Sequence, residues 1–126
     1  MAVLKRKDFC KWQSSMEIPN TSLCHAVREM ETGLIDAQIG NGLFKKRIAR
    51  SGSGKSAGYR FLISAQIGTR YVFLHGFQKS CKDNISLKEK RALQFAGKVF
   101  LGLSQASLEM AIEAGVLTEV DCEQNH

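Results

Sequence analysis

The apolar positions along the chain change period twice. Near the start, Phe9, Trp12 and Met16 fall along one side of a helix over Asp8 to Met16, after a short first strand over Val3 to Lys7. Pro19 followed by Asn20, Thr21 and Ser22 marks a turn and a helix start. Leu23, Ala26, Val27, Met30 and Leu34 then recur at i, i+3, i+4, i+7 and i+11, the signature of an amphipathic helix with one buried stripe. Gly33 ends or weakens that helix, and Gly40-Asn41-Gly42 is a loop. From Leu43 the period becomes two. Phe44 and Ile48 fall on one face of a strand over Leu43 to Arg50, with Lys45 and Arg47 on the other.

Ser51 to Gly58 is rich in glycine and serine and suits a long hairpin loop. Tyr59 to Ala65 predicts a second strand, and Gly68-Thr69 the next turn. Arg70 to Phe77 predicts a third strand, apolar on both faces as a central strand is. Helix returns at Ser86, where Ser86-Leu87-Lys88-Glu89 fits a capping box. Leu87, Leu93, Phe95, Ala96, Val99, Phe100 and Leu103 supply a broad apolar stripe. Ser104 caps a further helix that ends near Gly115, and Val116 to Val120 adds a short strand or a packed tail.

Helices, then strands, then helices predict an α+β fold: a small antiparallel sheet with helices packed mainly on one face. The uncovered face is expected to carry Lys45, Arg47 and Arg60. A length of 126 residues fits one domain over 1–126, with 121–126 expected as a mobile tail.

Composition narrows the function classes. No apolar run approaches the roughly 20 residues of a membrane helix, and Met1 to Lys7 lacks a signal-peptide core. A cytoplasmic location with no membrane partner is expected. Cys10, Cys24, Cys81 and Cys122 are neither CxxC-spaced nor part of a zinc-finger pattern. They are expected as reduced thiols, with Cys10 and Cys24 packed as small hydrophobes, and neither a metal nor another cofactor is called for.

Charge is more informative than its net value of +6. Met1 to Asp36 carries five basic and five acidic residues, and Asp83 to His126 carries four and seven. Between them, Ala37 to Lys82 carries nine basic residues and no acidic one. Such segregation lets a polyanion gain attraction and counterion release from one surface. Lys45, Lys46, Arg47 and Arg60 form the main constellation, with Arg50, Lys55 and Lys79 as further phosphate contacts. Alternate strand positions let Lys45 and Arg47 converge on one phosphate, which arginine grips with two parallel hydrogen bonds.

Other motifs carry less. Ala49 to Ser56 loosely fits a phosphate-loop pattern, but strand character resumes at Tyr59 where a helix is needed, and no magnesium-binding aspartate follows. His25 sits among helix residues. His75 shares its strand parity with Phe73 and Phe77, which favours a hydrogen-bonded core histidine over a general base. Paired carboxylates are missing from the basic block, which argues against glycosidase-like chemistry. Tyr59, Tyr71, Phe73 and Phe77 are expected mostly in the core.

Glu29 to Ala37, Leu43-Phe44-Lys45-Lys46-Arg47-Ile48-Ala49-Arg50, Gly54 to Arg60, Tyr71 to Lys79 and Asp83 to Ser86 together resemble a branch of the RelE/ParE family. These are toxins of bacterial type II toxin–antitoxin systems, and the likeness runs from about Lys7 to Val120. It implies a small antiparallel sheet packed with helices and a partner antitoxin, often with a helix-turn-helix domain. The activity implied is ribosome-dependent cleavage of mRNA or, in the ParE branch, non-enzymatic inhibition of DNA gyrase. An accessory nucleic-acid-binding protein is a further alternative. Carried over by position in the sheet, the phosphate-binding and charge-stabilising role falls on Lys45, Lys46, Arg47 and Arg60, then Lys79. Cleaving relatives often place a catalytic tyrosine or histidine near the C-terminus, where this chain has Val120 to His126. The antitoxin is expected to lay an acidic segment across the sheet.

Overall fold

The computed structural model describes residues 1–50, 54–79 and 85–122, with the side chains of 49, 50 and 54–57 excepted. Its elements run β1 (Ala2–Arg6), α1 (Lys7–Ser15), α2 (Asn20–Glu31), β2 (Ala37–Gly40), β3 (Leu43–Arg50), β4 (Gly54–Gln66), β5 (Arg70–Gln78), α3 (Leu87–Leu101), α4 (Gln105–Glu113) and β6 (Leu117–Glu119). The strands make one sheet in the order β2-β3-β4-β5-β1-β6. The expected meander of β3, β4 and β5 is present and antiparallel throughout. Two features extend it. β2 pairs with β3 as an edge strand, and β1 pairs parallel to β5. The parallel pair becomes reachable because α1 and α2 carry the chain across the sheet between β1 and the meander.

The architecture is α+β, but helices cover both faces of the sheet, which corrects the one-sided arrangement. Alternation along the strands produces two cores. Phe44, Phe61, Ile63, Tyr71 and Phe73 join Phe9 of α1 and Leu23, Val27 and Met30 of α2. Leu43, Leu62, Val72, Leu74 and Phe77 join Leu93 of α3 and Leu108 of α4. A strand with apolar side chains on both faces requires cover on both, and β5 has it.

Two glycines set the helix approach. A Cβ on Gly76 would lie 2.1 Å from the Trp12 ring, so α1 packs its indole directly on the β5 backbone. A Cβ on Gly97 would lie 1.7 Å from Ser64 Oγ, so α3 meets β4 at that point. The α3 start is as expected: Ser86 Oγ accepts from the Glu89 amide and the Glu89 carboxylate accepts from the Ser86 amide. Ser104 caps α4 by accepting from the Ser107 amide.

Other expectations change. β4 starts at Gly54, so part of the Ser51–Gly58 loop is strand; residues 51–53 lie outside the described set. α2 ends at Glu31, Gly33 takes φ +90°, and Leu34 stands exposed beyond it. The Cys24 and Cys122 sulfurs are bonded, so these two are not free thiols, and Cys122 is held in the core on the α2 side rather than in a mobile tail. Cys10 is free, and Cys81 and residues 123–126 lie outside the described set.

Candidate phosphate-binding face of the sheet

Strand alternation divides the basic block. Arg47 of β3 lies directly across from Arg60 of β4, which lies across from Phe77 of β5. One row further along, Lys45 faces Leu62, and Leu62 faces His75. Leu62 and Phe77 belong to the α3-side core, so Lys45, Arg47, Arg60 and His75 all occupy that face. Directly opposed side chains sit about 5 Å apart at Cβ, so three cations share two adjacent rows.

Their environments are graded. Arg47 is exposed, and Asp36 holds it twice, accepting from the Arg47 amide at 2.6 Å and from Nε at 3.3 Å. Lys45 is half-buried. Arg60 is 5% exposed, and its Nη1 donates to the Tyr59 carbonyl. Burial pulls the Arg60 guanidinium below its ordinary range, repulsion from Arg47 adds to this, and Asp36 opposes it. The repulsion from Arg47 is an electrostatic sign of their closeness. An anion placed between them would relieve it.

Lys46 has a different place. It lies on the α2 side with 2% exposure, and its ammonium contacts Glu29 at 2.8 Å and Asp36 at 3.8 Å. Lys46 therefore leaves the strand on the face opposite Lys45 and Arg47, although its ammonium shares the Asp36 carboxylate with Arg47. The reason is the pleat: neighbouring strand residues point to opposite faces. Lys79 is exposed, follows His75 and Phe77 in strand alternation, and donates its amide to Gly58. The side chains of Arg50 and Lys55 lie outside the described set, although the backbones of Arg50 and Gly54 are paired. That pairing makes the phosphate-loop-like segment a strand-to-strand link, as its context in the sequence predicted.

The parity that groups Phe73, His75 and Phe77 holds only in part. A register shift between Leu62 and Ile63 gives β5 one extra residue there. Phe73 consequently packs with the α1–α2 core, whereas Phe77 packs with the α3 core. His75 follows Phe77, with ring centroids 6.1 Å apart, and is half-buried on the cation-bearing face. A bulge breaks the period of two without leaving a mark in the hydrophobic pattern. His25 is exposed, contacts Glu29 at 3.6 Å on α2, and lines a cleft of about 400 Å³ with Arg28, Arg47 and Ile48.

Among the described residues no group of three or more histidine, cysteine or acidic side chains is placed to hold a metal ion, and no helix is long and apolar enough to cross a membrane. What the face offers is cationic hydrogen-bond donors in the same two rows as an imidazole, and donors of this kind make charge-assisted hydrogen bonds to oxyanions.

Fold and site together define a small α+β protein whose sheet carries a cluster of cations on one face. The model of the RelE toxin of the RelE/RelB toxin–antitoxin system matches residues 1–120, and the chain belongs to that family. It is a toxin, and its membership implies an antitoxin partner. No curated protein and no solved structure gives a significant match.

Proposed function

We propose that this toxin is a metal-independent endoribonuclease that cuts mRNA positioned by the ribosome, and so inhibits translation. The observation that carries the reading is the pairing of Arg47 with Arg60 beside Lys45 on one face of the sheet. In the reaction, a ribose 2′-hydroxyl attacks the adjacent phosphorus. The 5′-oxygen of the next nucleotide leaves, and a cyclic phosphate remains. Charge builds on the phosphoryl oxygens as the new bond forms, and fixed cations lower the barrier by stabilising it. Arg47 and Arg60 are assigned to the phosphoryl oxygens and Lys45 to the same phosphate from the neighbouring row.

The step also needs a proton acceptor for the 2′-hydroxyl and a donor for the leaving oxygen. His75 is the imidazole in the row that Lys45 and Leu62 share, so we assign proton transfer to it, while Lys46 is engaged by Glu29. Lys79 extends the basic surface along the backbone of the RNA. The antitoxin then acts by covering this face, and no metal or other cofactor enters the scheme.

Mapping transcript 5′ ends after induction of the toxin tests the reading. Messages cut only while ribosomes occupy them are the expected result. Intact messages with a DNA-damage response would overturn it in favour of gyrase inhibition.

A further inference from the structure

Helix α3 carries two apolar stripes, and the sheet uses one of them. Leu93 and Gly97 are buried against the sheet. At 100° per residue, Phe95 falls on nearly the opposite side of the helix. It is 71% exposed, and Leu87 and Val99 on the same side are 60% and 47% exposed. Leu87, Arg91, Phe95 and Val99 follow one another at intervals of four, one continuous ridge along the outside of the helix. Among the described residues no intramolecular packing covers that ridge, and three large apolar side chains aligned on one exposed helix mark a contact surface.

Charge selects the occupant. Lys88, Arg91 and Lys98 lie in the same exposed arc, whereas Glu89, the acidic residue of this helix, is tied into the cap. A shallow groove of about 460 Å³ beside Phe95 is lined by Asn41, Arg91, Gln94 and Lys98, again with no carboxylate. A second copy of the chain fits badly. A two-fold pairing centred on Phe95 brings Arg91 and Lys98 of the two copies together, cation against cation. An amphipathic helix with acidic flanks fits both features, its apolar residues straddling Phe95 and its carboxylates reaching Arg91 and Lys98.

We propose that the outer face of α3 is a docking surface for an acidic amphipathic helix of a protein partner. This surface is distinct from the cation-bearing face of the sheet, from which Phe95 points away. The proposal does not depend on RNA cleavage.

The test uses the full chain and two synthetic helical peptides of about five turns. Both carry leucine at every fourth position, one flanked by glutamate and the other by lysine. The acidic peptide is expected to bind and the basic one to fail. Phe95→Glu and Arg91→Glu are each expected to weaken binding by about 100-fold, whereas Met110→Glu, on exposed α4, and Lys45→Ala leave it unchanged. All four positions are at least partly exposed, so unchanged thermal melting confirms that the variants fold. Equal binding of both peptides, or of neither, overturns the proposal. So does self-association that Phe95→Glu abolishes, which would make a second copy the occupant. Binding of anionic vesicles or single-stranded RNA that depends on Phe95 while the acidic peptide fails would overturn it too.

Discussion

Lys45 and Lys46 are adjacent in the chain and yet belong to opposite sides of the sheet. Lys46 points into the α2 side, is 2% exposed and is neutralised by Glu29 and Asp36. Lys45 points to the other side, in the row next to Arg47 and Arg60. The peptide geometry of one strand thus turns a single run of basic residues into an ion pair on one face and a row of cations on the other. Charge on the α2 side is satisfied internally and contributes to holding α2 on β3. On the α3 side Arg47 repels Arg60, and the Asp36 carboxylate attracts both. Stability and chemistry should therefore separate by face.

The largest effect is expected on the α3 side. Replacing Lys45 and Arg47 together with alanine should lower the rate of ribosome-dependent cleavage by more than the roughly 100-fold expected for one phosphoryl contact, though by less than the product of two, because both act on one phosphate. Denaturant midpoints should stay near that of the parent chain. Loss of stability in proportion to loss of cleavage would erase the distinction between faces.

Next comes the Cys24–Cys122 bond, which joins α2 to the end of the chain across a separation of 98 residues. Closing so long a loop restricts the unfolded chain, and reduction should cost about 4 kcal/mol of stability. Urea unfolding with and without reductant measures it, and Cys122→Ser should reproduce the reduced value.

Lys46→Ala is expected to cost about 3 kcal/mol, because it strands the half-buried Glu29 carboxylate without its cation. The same measurement on Glu29→Gln combined with Lys46→Met should show most of that loss restored. A neutral effect of Lys46→Ala would mean that the pair is too well hydrated to matter.

The smallest effect concerns Tyr71, fully buried on the α1–α2 side, whose hydroxyl accepts from the Gly68 amide and donates to Glu31. Burial raises its ionisation above the ordinary range, opposed by the Gly68 bond and reinforced by the Glu31 charge. Because the folded pKa is raised, the unfolded chain releases this proton first. The contribution to stability is therefore complete below about pH 10 and fades as pH rises toward the folded value. Tyr71→Phe should flatten that alkaline decline in urea titrations.

The elements that were legible in the sequence rested on local signals. The Ser86–Glu89 box and the Ser104 cap are written in residues three apart. The β3–β4–β5 meander follows from short links between β-rich runs, and the placement of Lys45 and Arg47 opposite Phe44 and Ile48 follows from alternation. What escaped depended on tertiary events. The parallel pairing of β1 with β5 joins segments nearly 70 residues apart, and no local pattern encodes it. The bulge at Leu62 and Ile63 moved His75 and Phe77 away from the side that Phe73 occupies. Lys46 was grouped with its neighbours by composition, although the alternation already separated it from them. The apolar residues of α3 read in the sequence as one stripe, but Leu87, Phe95 and Val99 lie outside the core. Composition says how much apolar surface a helix has, and only its orientation says which part the fold covers.

The most direct measurement is the cleavage of a ribosome-bound message by two variants matched for folding: Lys45→Ala, and Lys46→Met with Glu29→Gln. The account predicts that the first melts like the parent chain but cuts about 100-fold more slowly. The second should cut at the parental rate once its melting shows it folded. A folded Lys46→Met, Glu29→Gln protein without activity, or a fully active Lys45→Ala protein, would contradict it.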